Sequence, residues 1–149
     1  MPTASITKKI PCSKKNLIDM VLDIEKYPEF VPWCLDGKIH TKVDKGNTVE
    51  ITADLTIGKS FFKETYKSFV IYDKYADSIN VTNMEGPLKH LENKWTFRQT
   101  GDSSEVDFHV DFELKNKILN ILMIKTFDVG LKKIASAFEK RANELFNRA

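Results

Sequence analysis

NKILNILMIKTFDVGLKKIASAFEKRANELFNR, residues 116–148, is the longest stretch of helical pattern in the chain. Its second half places apolar residues three and four positions apart, at Phe127, Leu131, Ile134, Phe138, Ala142 and Leu145. This spacing predicts an amphipathic helix that Asn116 can cap. The first half, 118–127, is apolar in nearly every direction, so we expect apolar surroundings on more than one of its sides.

The length of this helix limits how it can pack. An unbroken helix over 117–147 would be about 46 Å long. Strands of ten residues make a sheet only about 33 Å across. The helix is therefore expected either to overhang its sheet or to break, and Gly130 is the expected bend.

The residues before the helix alternate in the manner of strands. We predict a strand over 4–10, a helix capped by Ser13 that runs to about Lys26, and six strands between Leu35 and Leu114. The strand at 61–72 has apolar residues on both faces, so its orientation stays open. Consecutive strands joined by short turns form an antiparallel sheet. The prediction is one α+β domain over 1–149, a curved antiparallel sheet wrapped around a long C-terminal helix.

Composition excludes several classes of protein. The chain is 42% hydrophobic and 30% charged with a formal charge of +2, which is typical of a soluble globular protein and too small to indicate nucleic-acid binding. No DNA partner is expected. The Lys- and Ser-rich start loosely resembles a transit segment, but it lacks Arg and suits a strand equally well, so we favour the strand. Cys12 and Cys34 are expected to be free thiols in a reducing, cytoplasmic compartment.

An aromatic segment, YPEFVPWC at 27–34, follows the first helix. Pro28 can open a short helix at its first position, and Pro32 prevents a long one. Four large side chains in eight residues are dense for a loop. Two interpretations stay open, an anchor packed under the sheet edge or the wall of a ligand pocket.

Four ordered motifs then identify a family resemblance. EGPLKHLENKWTF at 85–97 and DIEKYPEFVPWC at 23–34, with the strand at 106–114 and AFEKRA at 137–142, closely resemble the coenzyme Q-binding START-like family. That family is also described as polyketide cyclase/dehydrase-like and includes the ribosome-association toxin RatA. The resemblance implies a helix-grip fold with a hydrophobic tunnel between sheet and helix. For one branch it implies ubiquinone or another lipid as ligand, in support of respiratory electron transport and with peripheral contact at the inner membrane. For the other branch it implies binding to the large ribosomal subunit.

An isoprenoid tail needs a long apolar channel with few polar groups. We predict that its wall is formed by Phe30, Trp33, Leu55, Trp95, Phe97, Leu122, Phe127 and Leu131. Large side chains filling the same space are the alternative. Asn93 and Gln99 share the strand parity of Trp95, so either could contact a polar ligand end, although both could equally be strand-end residues in water.

The tunnel is expected to open beside residues 27–33 and 118–127. Tyr27 and Pro28 would form the gate, and Gly130 would be the hinge that lets the first half of the helix lift.

Neither catalysis nor a resident cofactor or metal is expected. His40 and His109 fall on the wet face of the sheet, and no Ser-His-Asp order, metal-spaced cluster or glycine-rich phosphate loop occurs.

Ribosome binding would instead need a basic surface, because attraction to RNA is mostly electrostatic. The candidates are Lys132, Lys133, Lys140 and Arg141 on the outer helix face, with Lys89 and Lys94 on the sheet. A solvated helix face is the alternative.

Overall fold

The computed structural model describes residues 3–59, 62–85, 88–115 and 117–146. The described strands are β1 Thr3–Ile10, β2 Cys34–Asp44, β3 Thr48–Lys59, β4 Phe62–Asp73, β5 Ser78–Glu85, β6 Leu88–Thr100 and β7 Ser103–Leu114. The helices are α1 Lys14–Leu22, a 3₁₀ helix Ile24–Glu29 and α2 Lys117–Phe146. The expected cap Asn116 lies outside the described residues.

The described strands form one antiparallel sheet in the order β1-β7-β6-β5-β4-β3-β2. Strands β2 to β7 each pair with their sequence neighbours, and the described connections include the turns at 45–47 and 101–102. Strand β1 pairs with β7, from Thr3–Asp111 to Ile10–Ser104. Gly46 and Gly101 take positive φ values in two of these turns, a region that glycine enters without strain. The predicted antiparallel sheet with a C-terminal helix is confirmed.

Alternating burial shows which side of the sheet faces the helices. On β3, Val49, Ile51 and Ala53 are buried, and the residues between them are more exposed. On β4, whose orientation the sequence left open, Ser68 and Val70 are buried, so the even-numbered residues face inward. Ser68 is tolerated there because its hydroxyl donates to the Ala53 carbonyl at 3.3 Å.

The first helix ends earlier than predicted. Ser13 caps it as expected, with its hydroxyl accepting from the Asn16 N–H at 3.1 Å. The α-helix stops at Leu22 rather than near Lys26, and the chain continues as the 3₁₀ helix. That tighter helix lies against β2, where a Cβ on Gly37 would come within 2.5 Å of the Ile24 carbonyl oxygen.

The long helix α2 is continuous across Gly130, so the expected break is absent and the overhang is the correct alternative. Leu131, Phe138 and Ala142 are buried on its inner face. Leu145 shares that apolar face, but it is 40% exposed. The physical reason is length: a helix of 30 residues is about 45 Å long and extends past the sheet.

Within the described part of the chain, no helix is long and apolar enough to cross a membrane.

Candidate lipid site and helix surface

Aromatic rings close the space between the sheet and the second half of α2. The ring of Phe138 meets those of Tyr27, Phe30 and Trp95 edge-on, with centroids 5.6, 5.1 and 5.2 Å away. On the sheet, the ring centroids of Trp95 and Phe108 lie 4.2 Å apart. Edge-to-face packing at these distances adds to the stabilisation from burial alone.

The cavity beside this cluster is very small. It measures about 20 Å³ and is lined by side chains of β1, β6, β7, α1 and α2, including Trp95, Phe108 and Phe138. That volume holds about one water molecule, not an isoprenoid tail. Trp95, Phe97 and Leu131 are 9%, 2% and 5% exposed. At this level the structure has a packed core instead of the open tunnel expected from the sequence.

The other predicted wall residues are distributed differently. Leu55 and Phe30 are half-buried and pack against the core. The side chains of Leu122 and Phe127 lie outside the part that the structure describes. Beyond the aromatic cluster, toward the start of α2, the inner face of the sheet continues along β6.

Asn93 occupies the inner face of β6 in that direction. The neighbours at i−2 and i+2 on its own strand, Leu91 and Trp95, are both buried. Across the sheet it pairs with Val81 and Val110. Its side-chain oxygen Oδ1 is buried and has no hydrogen-bond partner among the described residues. Leaving a buried acceptor unpaired costs about 1–3 kcal/mol, so this atom calls for a partner from outside the chain.

Gln99, the second predicted polar contact, is exposed and engaged elsewhere. Its Oε1 accepts from the Lys14 N–H at 2.7 Å, and its Nε2 donates to the carbonyls of Gly101 and Ser103. It therefore joins the start of α1 to the β6–β7 turn. This corrects its assignment to the ligand pocket, and the strand-end alternative applies.

Residues 27–33 pack against the second half of α2 and so act as an anchor. Burial raises the pKa of Tyr27, whose hydroxyl donates to the Val21 carbonyl. At the helix surface, Arg141 donates to Glu29 at 2.8 Å, and its guanidinium lies 5.2 Å from the Phe30 ring. The hydrogen bond from Arg141 lowers the pKa of the Glu29 carboxyl. Arg141 is thus engaged within the fold, and its contact with a ribosome stays a prediction.

Trp33 ends this anchor and lies against the proposed hinge. It has a φ of +64°, a left-handed conformation that costs a non-glycine residue about 1–3 kcal/mol. A Cβ built on Gly130 would lie 3.4 Å from two atoms of the Trp33 ring, and Lys133 Nζ lies 6.0 Å from the ring centroid. Gly130 therefore provides a seat for Trp33. Its role as a hinge, and the gate roles of Tyr27 and Pro28, stay predictions.

The outer face of α2 is more open than expected. Ile118 and Ile121 are 73% and 55% exposed, and Val129 is 59% exposed. The sequence led us to expect a cover over this apolar stretch, and residues 27–33 do not supply one here.

Further along the same face is a surface groove of about 490 Å³. It is lined by Pro32, Val129, Lys132, Lys133, Ser136, Ala137 and Lys140. The three lysines are exposed, so they remain candidates for contact with an anionic partner. Lys94 is exposed on the sheet, and the side chain of Lys89 lies outside the described part.

Two of the histidines each lie beside an acidic side chain. His40 contacts Asp54 at 2.8 Å and His109 contacts Asp111 at 3.2 Å, both on the outer sheet face as predicted. Over the described ranges no three His, Cys, Asp or Glu side chains could hold a metal ion. Burial raises the pKa of the Cys34 thiol to about 11, so it is protonated at neutral pH.

The residue motifs, the sheet order and the long helix agree with one family. The description "Polyketide cyclase / dehydrase and lipid transport" matches residues 10–139. The chain belongs to this family. The family description covers both enzymes and lipid carriers, so membership alone does not assign catalysis.

Relatives in this family carry two different names. The ribosome association toxin RatA of Rickettsia prowazekii is 33% identical over 93% of this chain and 94% of its own. The mitochondrial coenzyme Q-binding protein COQ10 of Dictyostelium discoideum is 30% identical over 97% of this chain and 70% of its own. A START superfamily protein from Mycobacterium smegmatis has a TM-score of 0.81 at 21% identity, covering 96% of this chain and 98% of its own. The last comparison confirms the helix-grip fold.

Sequence reasoning missed two features that matter at this site. The seat for Trp33 at Gly130 was hidden because the two residues are distant in the chain. The pairing of Arg141 with Glu29 was missed for the same reason, although both residues lie in motifs that carry the resemblance. Spacing within one element cannot indicate which element lies opposite.

Proposed function

We propose that the chain binds an apolar lipid of the ubiquinone class between the inner face of the sheet and the first half of α2, without catalysing a reaction. The observation that carries this proposal is the buried, unpaired Oδ1 of Asn93 in an otherwise apolar wall. Buried polar atoms in folded proteins are nearly always paired. A ligand with an apolar body and one polar end would supply the missing partner, and the name of the COQ10 relative agrees with such a ligand.

The packed aromatic cluster defines where the lipid would stop. Phe138 and Trp95 fill the space toward α1, so the polar end would lie at Asn93 and the tail would leave toward the start of α2. The exposed Ile118 and Ile121 at that end would then lie beside the exit. An apolar exit suits a tail that passes to or from a membrane surface.

The direct test is recovery of the ligand. The protein should be purified from its native cells, extracted with organic solvent and the extract identified by mass spectrometry. The delipidated protein should then bind added ubiquinone with quenching of tryptophan fluorescence. Recovery of no apolar lipid, together with no binding of added ubiquinone, contradicts the proposal.

A matched pair of variants locates the site. Val110 lies opposite Asn93 in the register and is buried, so Val110→Phe should fill the ligand space and abolish binding while the protein still folds. His109→Phe adds the same ring on the outer face of the same strand and should bind like the parent. If the space beside Asn93 were already full, Val110→Phe would overpack the core and destabilise the fold by about 1–3 kcal/mol.

A second candidate function is binding to the large ribosomal subunit. It is favoured by the exposed Lys132, Lys133 and Lys140 around the groove on α2, and by the name of the RatA relative. Attraction of lysines to RNA phosphates is electrostatic and weakens with added salt.

Sucrose-gradient profiles test this second function. Excess protein should shift ribosomes toward free subunits, and the double variant Lys132→Gln, Lys140→Gln should lose most of the effect. The control Lys38→Gln, Lys42→Gln makes the same charge change at exposed positions of β2. Unchanged subunit joining at several-fold excess of the parent would rule the function out.

A further inference from the structure

The unpaired atom of Asn93 also indicates what kind of polar group the ligand carries. Along β6 its inward neighbours are Leu91 and Trp95, and across the sheet they are Val81 and Val110. Of these four side chains only that of Trp95 carries a hydrogen-bond donor, its indole N–H, and the Asn93 Oδ1 atom has no partner among the described residues. The oxygen therefore needs a donor that the ligand brings.

Asn83 shows the contrasting case on the neighbouring strand. Its Oδ1 accepts from the Leu91 N–H at 3.0 Å, so this amide is used inside the sheet. Asn93 lies two positions after Leu91 on β6 and carries the same side chain as Asn83. Its oxygen, however, has no hydrogen-bond partner among the described residues. A purely structural amide would be expected to pair as Asn83 does.

An amide oxygen can only accept a hydrogen bond. The carbonyl of a quinone, an ester oxygen and an ether oxygen are acceptors as well, so none of them can pair with this oxygen. A hydroxyl group can. We propose that Asn93 Oδ1 accepts a hydrogen bond from a ligand hydroxyl, so that the site prefers a lipid ending in a hydroxyl, such as a hydroquinone, over its carbonyl or ether counterpart. This inference rests on the proposed lipid-binding function and adds a selectivity to it.

The consequence is a preference between two redox forms of one ligand. Pairing a buried acceptor contributes about 1.4 kcal/mol, which corresponds to tenfold in affinity. The same chain would bind the quinol about tenfold more tightly than the quinone when the tails are identical. The protein would then act as a carrier or reservoir of the reduced form.

The test uses three probes with the same decyl tail: the ubiquinol, the ubiquinone and the dimethyl ether of the quinol. Binding is measured anaerobically by titration of the delipidated full-length protein. The parent should bind the quinol about tenfold more tightly than either other probe. Asn93→Leu should bind all three within about twofold of one another, because Leu cannot accept a hydrogen bond.

Stability measurements separate this role from a structural one. Because Asn93→Leu replaces an unpaired buried amide with an apolar side chain of similar size, its Tm should rise by about 2–4 °C. A structural amide would instead lower Tm on substitution. Asn80→Leu makes the same change on β5, in register with the exposed Lys94, and should keep the parent's tenfold preference.

Each outcome decides one point. Equal binding of the three probes by the parent, or a tenfold preference that survives in Asn93→Leu, overturns the hydroxyl selectivity while lipid binding stands. Failure of the parent to bind any of the three overturns the lipid-binding function together with the selectivity. Loss of the preference in Asn93→Leu but not in Asn80→Leu supports the inference.

Discussion

Replacing Gly130 with alanine tests how α2 and Trp33 fit together. A Cβ at this position would lie 3.4 Å from two ring atoms of Trp33, which is ordinary van der Waals contact and needs no displacement. Glycine in a helix interior is about 0.8–1.0 kcal/mol less favourable than alanine. Gly130→Ala should therefore raise the free energy of unfolding by about 1 kcal/mol and raise Tm by about 2–4 °C.

The assay is urea unfolding followed by circular dichroism, with thermal unfolding beside it. Ser136→Ala is the matched control, since it is exposed on the same helix and changes helix propensity alone. Its gain should be smaller, at most about 0.7 kcal/mol. Gly130→Leu is the opposite control, because its larger side chain would push the Trp33 ring away and destabilise by about 1–3 kcal/mol.

A lower unfolding free energy for Gly130→Ala would refute this reasoning, because it would show that the Trp33 ring leaves no room for a Cβ. The exchange rate of bound lipid then tests the hinge: a stiffer helix should slow exchange in Gly130→Ala. Unchanged exchange in a stabilised variant would exclude Gly130 as the hinge and leave it as a packing seat.

Three further predictions follow from the packing and the titratable groups. Phe138→Ala should lower the unfolding free energy by about 3–5 kcal/mol, because residue Phe138 is 3% exposed and its ring meets three other rings. Urea unfolding measures this change, and the control Phe138→Leu should lose much less unfolding free energy. In a Cys12→Ser background, Cys34 should react with Ellman's reagent at pH 8 at least about tenfold more slowly than a thiol of pKa 9.0. Its pKa of about 11 leaves about 100-fold less thiolate, and the greater nucleophilicity of that thiolate offsets only part of the loss. Rapid reaction in the folded state would contradict this. Arg141 lowers the pKa of Glu29, so their pairing contributes stability above the unfolded carboxyl pKa of about 4.3 and loses it as pH falls through the folded value. Between about pH 5 and 3 the unfolding free energy of the parent should therefore fall more steeply than that of Arg141→Gln.

The fold was predictable because its signals are local. The inward residues of β3 alternate with a period of two, and those of α2 recur every three or four positions. The pattern of each element therefore predicts which of its faces is buried. Ser13 likewise signals a helix start through a hydrogen bond to a residue three positions away. The bounds were less predictable, since α1 gives way to a 3₁₀ helix where the chain must fit against Gly37 of β2.

The site was predictable only in outline. The strand alternation predicted that Asn93 and Gln99 lie on one face of the sheet, but it did not predict their hydrogen-bond partners. Gln99 accepts a hydrogen bond at the start of α1, whereas the Asn93 oxygen has no partner among the described residues. Parity also placed Trp95 on the inner face without showing that Phe138 fills the space before it. Whether an inward side chain lines a cavity or fills one depends on what the opposite element presents.

The sequence by itself determined the strands and the long amphipathic helix, because side-chain direction repeats with a fixed period along each element. Its four motifs carried the resemblance to the family. Only the tertiary structure decided which inward side chains meet. It seated Trp33 on Gly130, bound Arg141 to Glu29 and left the Asn93 oxygen without a partner in the described chain. These outcomes depend on shape and distance between elements remote in the chain, and dense packing fixes such contacts only when the whole core is assembled.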